Sequence, residues 1–348
     1  LAHPFYNSDQ RSGRYCAKMF IEPDFPEIEK YVQKFWPELP AKKRAGVMRY
    51  IKKGVGFYHK NIDKATETAQ EFIKSERPFA NDKYAEMNAP KIAQEQMRNF
   101  IPVIFPSGFD FTINLTVLAA MYRAAWTPPM RFVTGQMVRE TVKRFPELEF
   151  MFRKSDARGR DWAMDMPKSG SVKIKYKPSH KLIDIISEKE YIVPEEGKIH
   201  PVDLLHFDPE MMNNTGGEIL TETEISVATM GQDQRHRTIR RGRPEFTGSF
   251  YLPPIGRKLK LEKDAKEMMA DWMKISKNIP ATLSMVLAPY GAMVKYRKSG
   301  SFNAINHEQA KRLCFCAQEE IYHAGRALRL EIEKKRGKKS KLLKIFEP

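Results

Sequence analysis

Apolar residues recur at three-to-four spacing over Glu27 to Trp36, Lys42 to Tyr58, Ile62 to Ser75 and Ala89 to Phe100, a period that predicts four amphipathic helices in the first third of the chain. Phe109 to Trp126 is apolar and fits a strand or a buried helix, and its Ala-Ala-Met-Tyr-Arg-Ala-Ala stretch favours helix in the second half. Thr134 to Phe145 is a further amphipathic helix. From about Ala157 to Gly170 the composition turns polar, with Gly159, Pro167 and Gly170 as breakers, which predicts a linker. Short β-like runs follow at Val172 to Tyr176, Leu182 to Ile186, Tyr191 to Val193 and Glu224 to Thr229. The last third returns to the helical period. Glu262 to Ser276 reads as one helix, and His307 to about Lys335 as a long one with Ala310, Leu313, Ala317, Ile321, Ala324 and Leu328 as its core stripe. The mixture predicts a helix-rich α/β (α+β) fold.

Length allows this pattern two domains or a tandem repeat, since the chain has 348 residues. No apolar run approaches the roughly 20 residues that span a bilayer. Charge changes the picture more: 60 Lys and Arg against 43 Asp and Glu leave +17, a field that favours nucleic acid, anionic lipid or acidic protein surfaces. Part of it is local, in Arg153 to Arg160, Lys173 to Lys181 and the tail Lys334 to Lys341, which holds six cations in eight residues. Three cysteines, Cys16, Cys314 and Cys316, argue against a disulfide framework and for a reducing compartment. Cys314 and Cys316 fall two apart on a predicted helix and point to different sides, so no shared metal is expected. Position 1 is Leu, which with the basic balance fits a chain whose organellar presequence has been removed, and the expected location is the mitochondrial matrix. Asn114-Leu-Thr116 and Asn213-Asn-Thr215 are formal glycosylation sequons.

The candidate chemistry centres on Arg235-His236-Arg237. Three such side chains in a row suit a strand end that meets phosphates or an electron-rich ring, because each donates charge-assisted hydrogen bonds. The plainer reading is a solvated basic run, since Arg240, Arg241 and Arg243 follow at once. There is no phosphate-binding Gly-rich loop, no G-x-S-x-G and no H-E-x-x-H in the sequence.

In the second half, Gln232-x-x-Arg235-His236-Arg237 is followed in order by Val286-Leu-Ala-Pro289, Gly300-Ser-Phe-Asn303, His307, Arg312 and Ala317-Gln-x-Glu-Ile321. This series resembles the flavin-dependent thymidylate synthases (the ThyX family), which carry R-H-R-x-x-S, S-x-R-Y, A-R-x-x-L-P, T-x-N-x-R-x-x-x-H-F-x-x-L-R and A-Q-x-E-I. The departures are Arg240 at the first motif serine, Met285 for the arginine before the proline, and Ser301 and Asn303 for Asn and Arg. A fainter series lies in the first half. Tyr6-Asn7 and Ser12-Gly-Arg14-Tyr15 resemble the nucleotide-phosphate motif, and Arg98-Asn-Phe-Ile-Pro102 resembles A-R-x-x-L-P. Asn114 follows Arg98 by sixteen residues, the step from Met285 to Ser301, and this register puts Ala120 and Ala125 where the second series has His307 and Arg312.

The resemblance implies two tandem ThyX-like units: a first copy over 1–155 that lacks its opening strands, a linker over 156–175, a second copy over 176–335 and a basic tail over 336–348. It implies flavin contacts at Arg235, His236, Arg237, His307 and Asn114, and nucleotide contacts at Ser12, Arg14, Arg98 and Gln232. Arg312 is the arginine that would polarise a uracil ring. The family builds each nucleotide site from two subunits, and here the first copy keeps one half of that set (Ser12, Arg14, Arg98) and the second the other (Gln232, Arg235, Arg312), so one hybrid site per chain is implied. Two functions follow as expectations. The first is a catalytically degenerate subunit of a large mitochondrial assembly (ATP synthase, a respiratory complex or the mitochondrial ribosome), without FAD at full occupancy, the basic tail contacting an acidic partner, anionic lipid or RNA. The second is FAD-dependent methylation of a uracil nucleotide with a methylenetetrahydrofolate carbon. Lost ligand contacts commonly reduce rates by orders of magnitude, which favours the first.

Overall fold

The structure, a computed structural model, describes residues 6–10, 18–153, 171–186, 218–314 and 317–338. The chain forms two compact units, one of His3–Met164 with Ala270–Pro289, the other of Asp165–Met269 with Tyr290–Pro348 and the first two residues. Helix and sheet are mixed, as the α/β expectation requires. No helix among the described residues is long and apolar enough to cross a membrane.

The first unit is mainly helical. Strand β1 (Tyr6–Gln10) precedes α1 (Lys18–Ile21), α2 (Phe25–Phe35), α3 (Ala41–Glu76) and α4 (Asp82–Met97). Asp24 caps α2, accepting from the Glu27 N–H at 2.9 Å. The two helices expected over 42–58 and 62–75 are one helix of 36 residues. Nothing between them breaks the period: His59, Lys60 and Asn61 include neither Pro nor Gly, and the Asn61 amide donates to the Phe57 carbonyl one turn back (2.9 Å). Helix α4 starts earlier than its apolar pattern, where Asn81 accepts from the Tyr84 N–H (2.8 Å). Its buried Ala85, Ala89 and Ala93, at four-residue spacing, form a smooth stripe that lets it pack along α3. A 3₁₀ turn (Arg98–Phe100) ends this hairpin.

Phe109 to Trp126 divides between both readings of its pattern, β2 (Phe109–Ile113) and α5 (Leu115–Ala124), and α6 (Pro128–Arg144) follows. Asn114 caps α5, accepting from the Val117 N–H at 2.8 Å. Strands β1 and β2 pair antiparallel. The returning segment, with the end of α9 (Glu262–Ser276) and α10 (Ala281–Val286), completes this unit's core. Trp272 is fully buried and donates its indole N–H to the Ser284 carbonyl (2.9 Å), while the Trp36 indole N–H donates to Thr282 Oγ1 (2.9 Å). Pro102 and Pro289, which end the two proline motifs, meet in an isolated antiparallel bridge, with Val103 N donating to Ala288 O (3.0 Å).

The second unit is built on a sheet of β3 (Lys173–Lys175), β4 (Ser179–Ile185), β5 (Glu218–Ser226), β6 (Arg240–Arg241), β7 (Glu245–Tyr251) and β8 (Ala292–Ser301). The order is β3-β7-β8-β5-β4, with β6 also on β8, and every pairing is antiparallel except β3 with β7. Helices α7 (Val227–Asp233), α8 (Pro254–Lys258), α11 (Phe302–Arg312) and α12 (Glu319–Arg336) accompany it, and α9 starts here. Ile219 of β5, Phe302 and Ile305 of α11 and Leu328 and Ile332 of α12 form its core.

Three expectations need correction here. The run Glu224 to Thr229 is not one strand: β5 ends at Ser226, whose hydroxyl caps α7 by accepting from the Thr229 N–H (3.2 Å). The helix expected from His307 to Lys335 is two helices, α11 ending at Arg312 and α12 starting at Glu319. The break lets α11 lie on β8 and α12 on β4, which one straight rod does not allow. Of the expected stripe, Ile321, Ala324 and Leu328 are buried, whereas Ala310, Leu313 and Ala317 around the break are half-buried. Strands β7 and β8 had no counterpart in the apolar pattern, because Gly248 interrupts one and Lys295, Arg297 and Lys298 mask the other. Tyr191 to Val193, the linker Ala157 to Gly170 and the second sequon lie outside the described residues.

A matching arrangement occurs in both halves. A strand pairs antiparallel with a later strand, which leads into a capped helix and then a longer one: β1, β2, α5 and α6, then β7, β8, α11 and α12. The caps Asn114 and Ser301 are the residues sixteen after Arg98 and Met285, and each accepts from the N–H three residues on.

Trp272→Ala is expected to destabilise the protein by about 3–5 kcal/mol, read as a lower denaturant midpoint, because the ring is fully buried and its loss leaves a void and removes the indole donor to the Ser284 carbonyl.

Candidate functional site

Strand alternation places a lysine where the sheet buries its side chains. Along β8, Ala292, Val294, Tyr296 and Lys298 share one parity and are all buried, while Lys295 and Arg297 on the other face are exposed. The Lys298 ammonium, with its side chain 1% exposed, donates to Asp233 Oδ1 at 2.6 Å and to both oxygens of Glu308 at 2.7 and 2.9 Å. Asp233 ends α7 and Glu308 lies on α11, so one cation ties two helices to the central strand.

Arg241 of β6 completes the cluster. Its Nε donates to Asp233 Oδ2 (2.6 Å), one terminal nitrogen donates to the carbonyls of His236 and Ile239 (2.7 and 2.9 Å), and the other donates to the Asp233 carbonyl. The Tyr296 hydroxyl also donates to Asp233 Oδ2 (2.8 Å). Two cations thus face two carboxylates inside the protein. Burial opposes the charge on Asp233, yet Lys298 and Arg241 outweigh it and hold this carboxyl well below the usual range. For Glu308 burial dominates, reinforced by the charge of Asp233, and its pKa is raised. Burial also opposes the charge of Arg241, but Asp233 and Glu308 raise its pKa above the ordinary value. Burial and Asp233 raise Tyr296 well above the phenolic range.

Arg235-His236-Arg237 lies beside this cluster, in the turn between α7 and β6 and not at a strand end as expected. Arg235 is exposed, Arg237 half-buried and His236 buried. The His236 ring meets His307 edge-on at 5.6 Å between centroids, and its Nε2 has no partner among the described residues. Burial, and after it Arg312 and His307, lowers its pKa to about 2, so the imidazole is neutral. His180 on β4 is held neutral in the same way, lowered to about 3 by burial and then by Lys298, with Nε2 3.1 Å from Thr221 Oγ1.

The other sequence candidates of this unit are engaged by the protein itself. Arg312, the last residue of α11, donates to the main-chain carbonyl of Gln232. The Gln232 amide in turn donates to the Gln318 side chain. Glu320, fully buried, accepts from the Ser226 N–H (2.6 Å) and hydroxyl (2.5 Å) and from Thr229 Oγ1 (2.6 Å). Gln318 and Glu320 of the A-Q-x-E-I series therefore anchor α7 from its first turn to its last, and so position the Arg-His-Arg turn. Arg312, Asp233, Lys298 and Glu308 share a cavity of about 10 Å³, room for at most one water and for neither a uracil nor a flavin ring. Among the described residues no cluster of His, Cys, Asp or Glu could hold a metal ion.

Of the first-half candidates, Arg98 is buried in the 3₁₀ turn after α4, and Asn114 uses its side chain as the α5 cap. Ser12, Arg14 and the side chain of Asn303 lie outside what the structure describes. Sequence reasoning missed Asp233, Tyr296, Lys298 and Glu308, and treated Arg241 as part of a solvated run. A signal existed for Lys298, which shares the parity of Ala292 and Val294; Asp233 and Glu308 carry none, since each is polar in a polar neighbourhood.

No family model matches the chain, and no curated protein does. Among solved structures the chain is similar to the UMP/dUMP methylase PolB from Streptomyces cacaoi bound with 5-Br UMP, at 11% identity and a TM-score of 0.36, over 47% of this chain and 92% of that one. The same methylase bound with 5-Br dUMP gives the same values. At that TM-score the likeness carries no weight.

Lys298→Met is expected to cost about 3–5 kcal/mol, because it leaves Asp233 and Glu308 facing each other with Arg241 alone; urea denaturation measures it. The two neutral histidines set a pH dependence. Their folded pKa values lie below the unfolded value of 6.5, so the unfolded chain binds protons first as pH falls. Stability is expected to fall below pH 6.5, by up to about 1.4 kcal/mol per pH unit for each histidine. His180→Gln combined with His236→Gln should flatten that slope in denaturation series across the acidic range.

Proposed function

We propose that this chain is a catalytically silent ThyX-like protein that serves as a structural or accessory subunit of a larger mitochondrial assembly. One observation carries the reading: Arg312, the arginine that would polarise a uracil ring, donates into the protein beside a buried, internally paired charge cluster. Arg312 donates to the Gln232 carbonyl, Lys298 and Arg241 pair with Asp233 and Glu308, and the cavity bordered by Arg312, Lys298, Asp233 and Glu308 admits at most one water. Polarising a uracil ring requires a cation preorganised toward the developing charge. A guanidinium committed to a main-chain carbonyl is not so disposed. The substitutions Met285, Ser301 and Asn303 point the same way, as does the use of Asn114 and Ser301 as helix caps. The matching order of strands and helices in the two halves supports a duplicated origin, in which the fold is retained while the site is filled.

What the protein offers an assembly is charge and rigid helices. The net +17 and the basic tail suit an acidic partner, and the long hairpin of α3 and α4 supplies an elongated surface. Fold alone does not decide function, and the competing activity is methylation of a uracil nucleotide by reduced flavin and methylenetetrahydrofolate.

Protein purified from its source is expected to show no flavin absorbance, to elute in a high-mass complex of mitochondrial proteins, and to form no thymidylate from deoxyuridylate. Arg312→Ala should leave that elution unchanged. A yellow protein that methylates deoxyuridylate, and loses turnover by orders of magnitude on Arg312→Ala, would overturn the proposal.

A further inference from the structure

The outer strand of the large sheet, β3, borders an open groove of about 460 Å³. One wall is β3 itself with the flanking Val172 and Tyr176, and the other is the first turns of α9, through Glu262 and Lys266. The lining is unevenly charged. Lys173, Lys175 and Lys266 face a single carboxylate, Glu262, which already accepts from the Tyr176 hydroxyl (3.2 Å). Arg257 adds a further cation, its guanidinium 5.8 Å from the centre of the Tyr176 ring.

The backbone of β3 is directional. Strand β3 runs parallel to β7, with Lys173 opposite Ser249 and Lys175 opposite Tyr251. The Lys175 carbonyl accepts from the Leu252 N–H (2.8 Å), so Lys173 and Lys175 turn their main-chain groups toward β7. Alternation then turns the N–H and C=O of Ile174 away from β7, to the open side, where no strand pairs with them among the described residues. Lys173 and Lys175 stand two residues apart on one face, the repeat at which an added strand presents its own alternate side chains. Edge lysines commonly serve only to discourage pairing between sheets. Here they come with a groove, a third lysine on the opposite wall and main-chain groups aimed outward.

We infer that β3 and its groove form a docking site for an extended acidic segment of a partner protein, which adds a strand to the sheet through Ile174 and sets its carboxylates among Lys173, Lys175 and Lys266. Main-chain pairing supplies the direction of binding and the lysines its selectivity. The inference rests on the scaffold reading for the existence of a protein partner, but its test does not depend on that reading.

The probe is a short fluorescent peptide of alternating glutamate and valine, titrated into the full chain and followed by anisotropy. Saturable binding is expected, weakened by about tenfold or more in Lys173→Glu combined with Lys175→Glu and Lys266→Glu. Ile174→Pro removes the outward N–H without touching the β7 ladder and is expected to weaken binding as well. A peptide of the same sequence with alternate main-chain nitrogens methylated keeps the charge, cannot complete the ladder, and needs no variant to fold; it should bind at least about tenfold more weakly. Absence of binding, or equal binding of the methylated peptide, would sink the proposal. So would displacement of the peptide by a single-stranded RNA of similar charge at equal concentration, which would make the groove a general polyanion surface. None of these results alters the flavin, turnover or co-elution tests, so the two readings fail separately.

Discussion

The ammonium of Lys298, enclosed by two carboxylates, is the constraint on which the second unit depends. A lysine at a buried position of a central strand is among the least favourable residues there unless it is paired and fully hydrogen-bonded. Asp233 and Glu308 supply those pairs, and they come from the end of α7 and the middle of α11. Strand β8 therefore sets where both helices sit. Arg241 and Tyr296 then both donate to the other carboxylate oxygen of Asp233, which carries the short strand β6 and the turn before it into the same network. Removing one of its charged members leaves the opposite charge without its counterpart in a buried place.

That network also explains why the most eye-catching residues of the chain do not form an open site. The protein carries a large net positive charge, yet the cluster beside Arg312 pairs its charges internally: Lys298 and Arg241 face Asp233 and Glu308, His180 and His236 are kept uncharged by burial, and Arg312 donates to a main-chain carbonyl. Other cations lie outside it at exposed positions, such as Lys173 of β3 and Arg235.

The helices were legible in the sequence because their evidence is local. Glu262 to Ser276 spans α9 from end to end, and the period over Glu27 to Trp36 locates α2 to within two residues. The sixteen-residue step from Arg98 and from Met285 lands on two helix caps, Asn114 and Ser301. What failed locally was punctuation. Asn61 looks like a stop but bonds back to Phe57, whereas the stretch after Arg312 looks like continuous helix and is a break. At the first junction the helix continues because nothing there breaks it; at the second the chain parts so that α11 lies on β8 and α12 on β4.

From the sequence alone follow the helix-rich α/β class, the capped helices, the basic balance and the order of the motif-like residues, because each depends on neighbours a few positions away or on composition. Only the tertiary structure decided what those residues do. Whether Arg312 faces a ligand or the Gln232 carbonyl, and whether Lys298 is a surface cation or the centre of a buried cluster, depends on contacts between residues as far apart as 80 and 65 positions. Charge is a property of a residue, but the sign and number of its buried neighbours is a property of the fold, and it is the latter that turns a basic motif into a site or into a structural clamp.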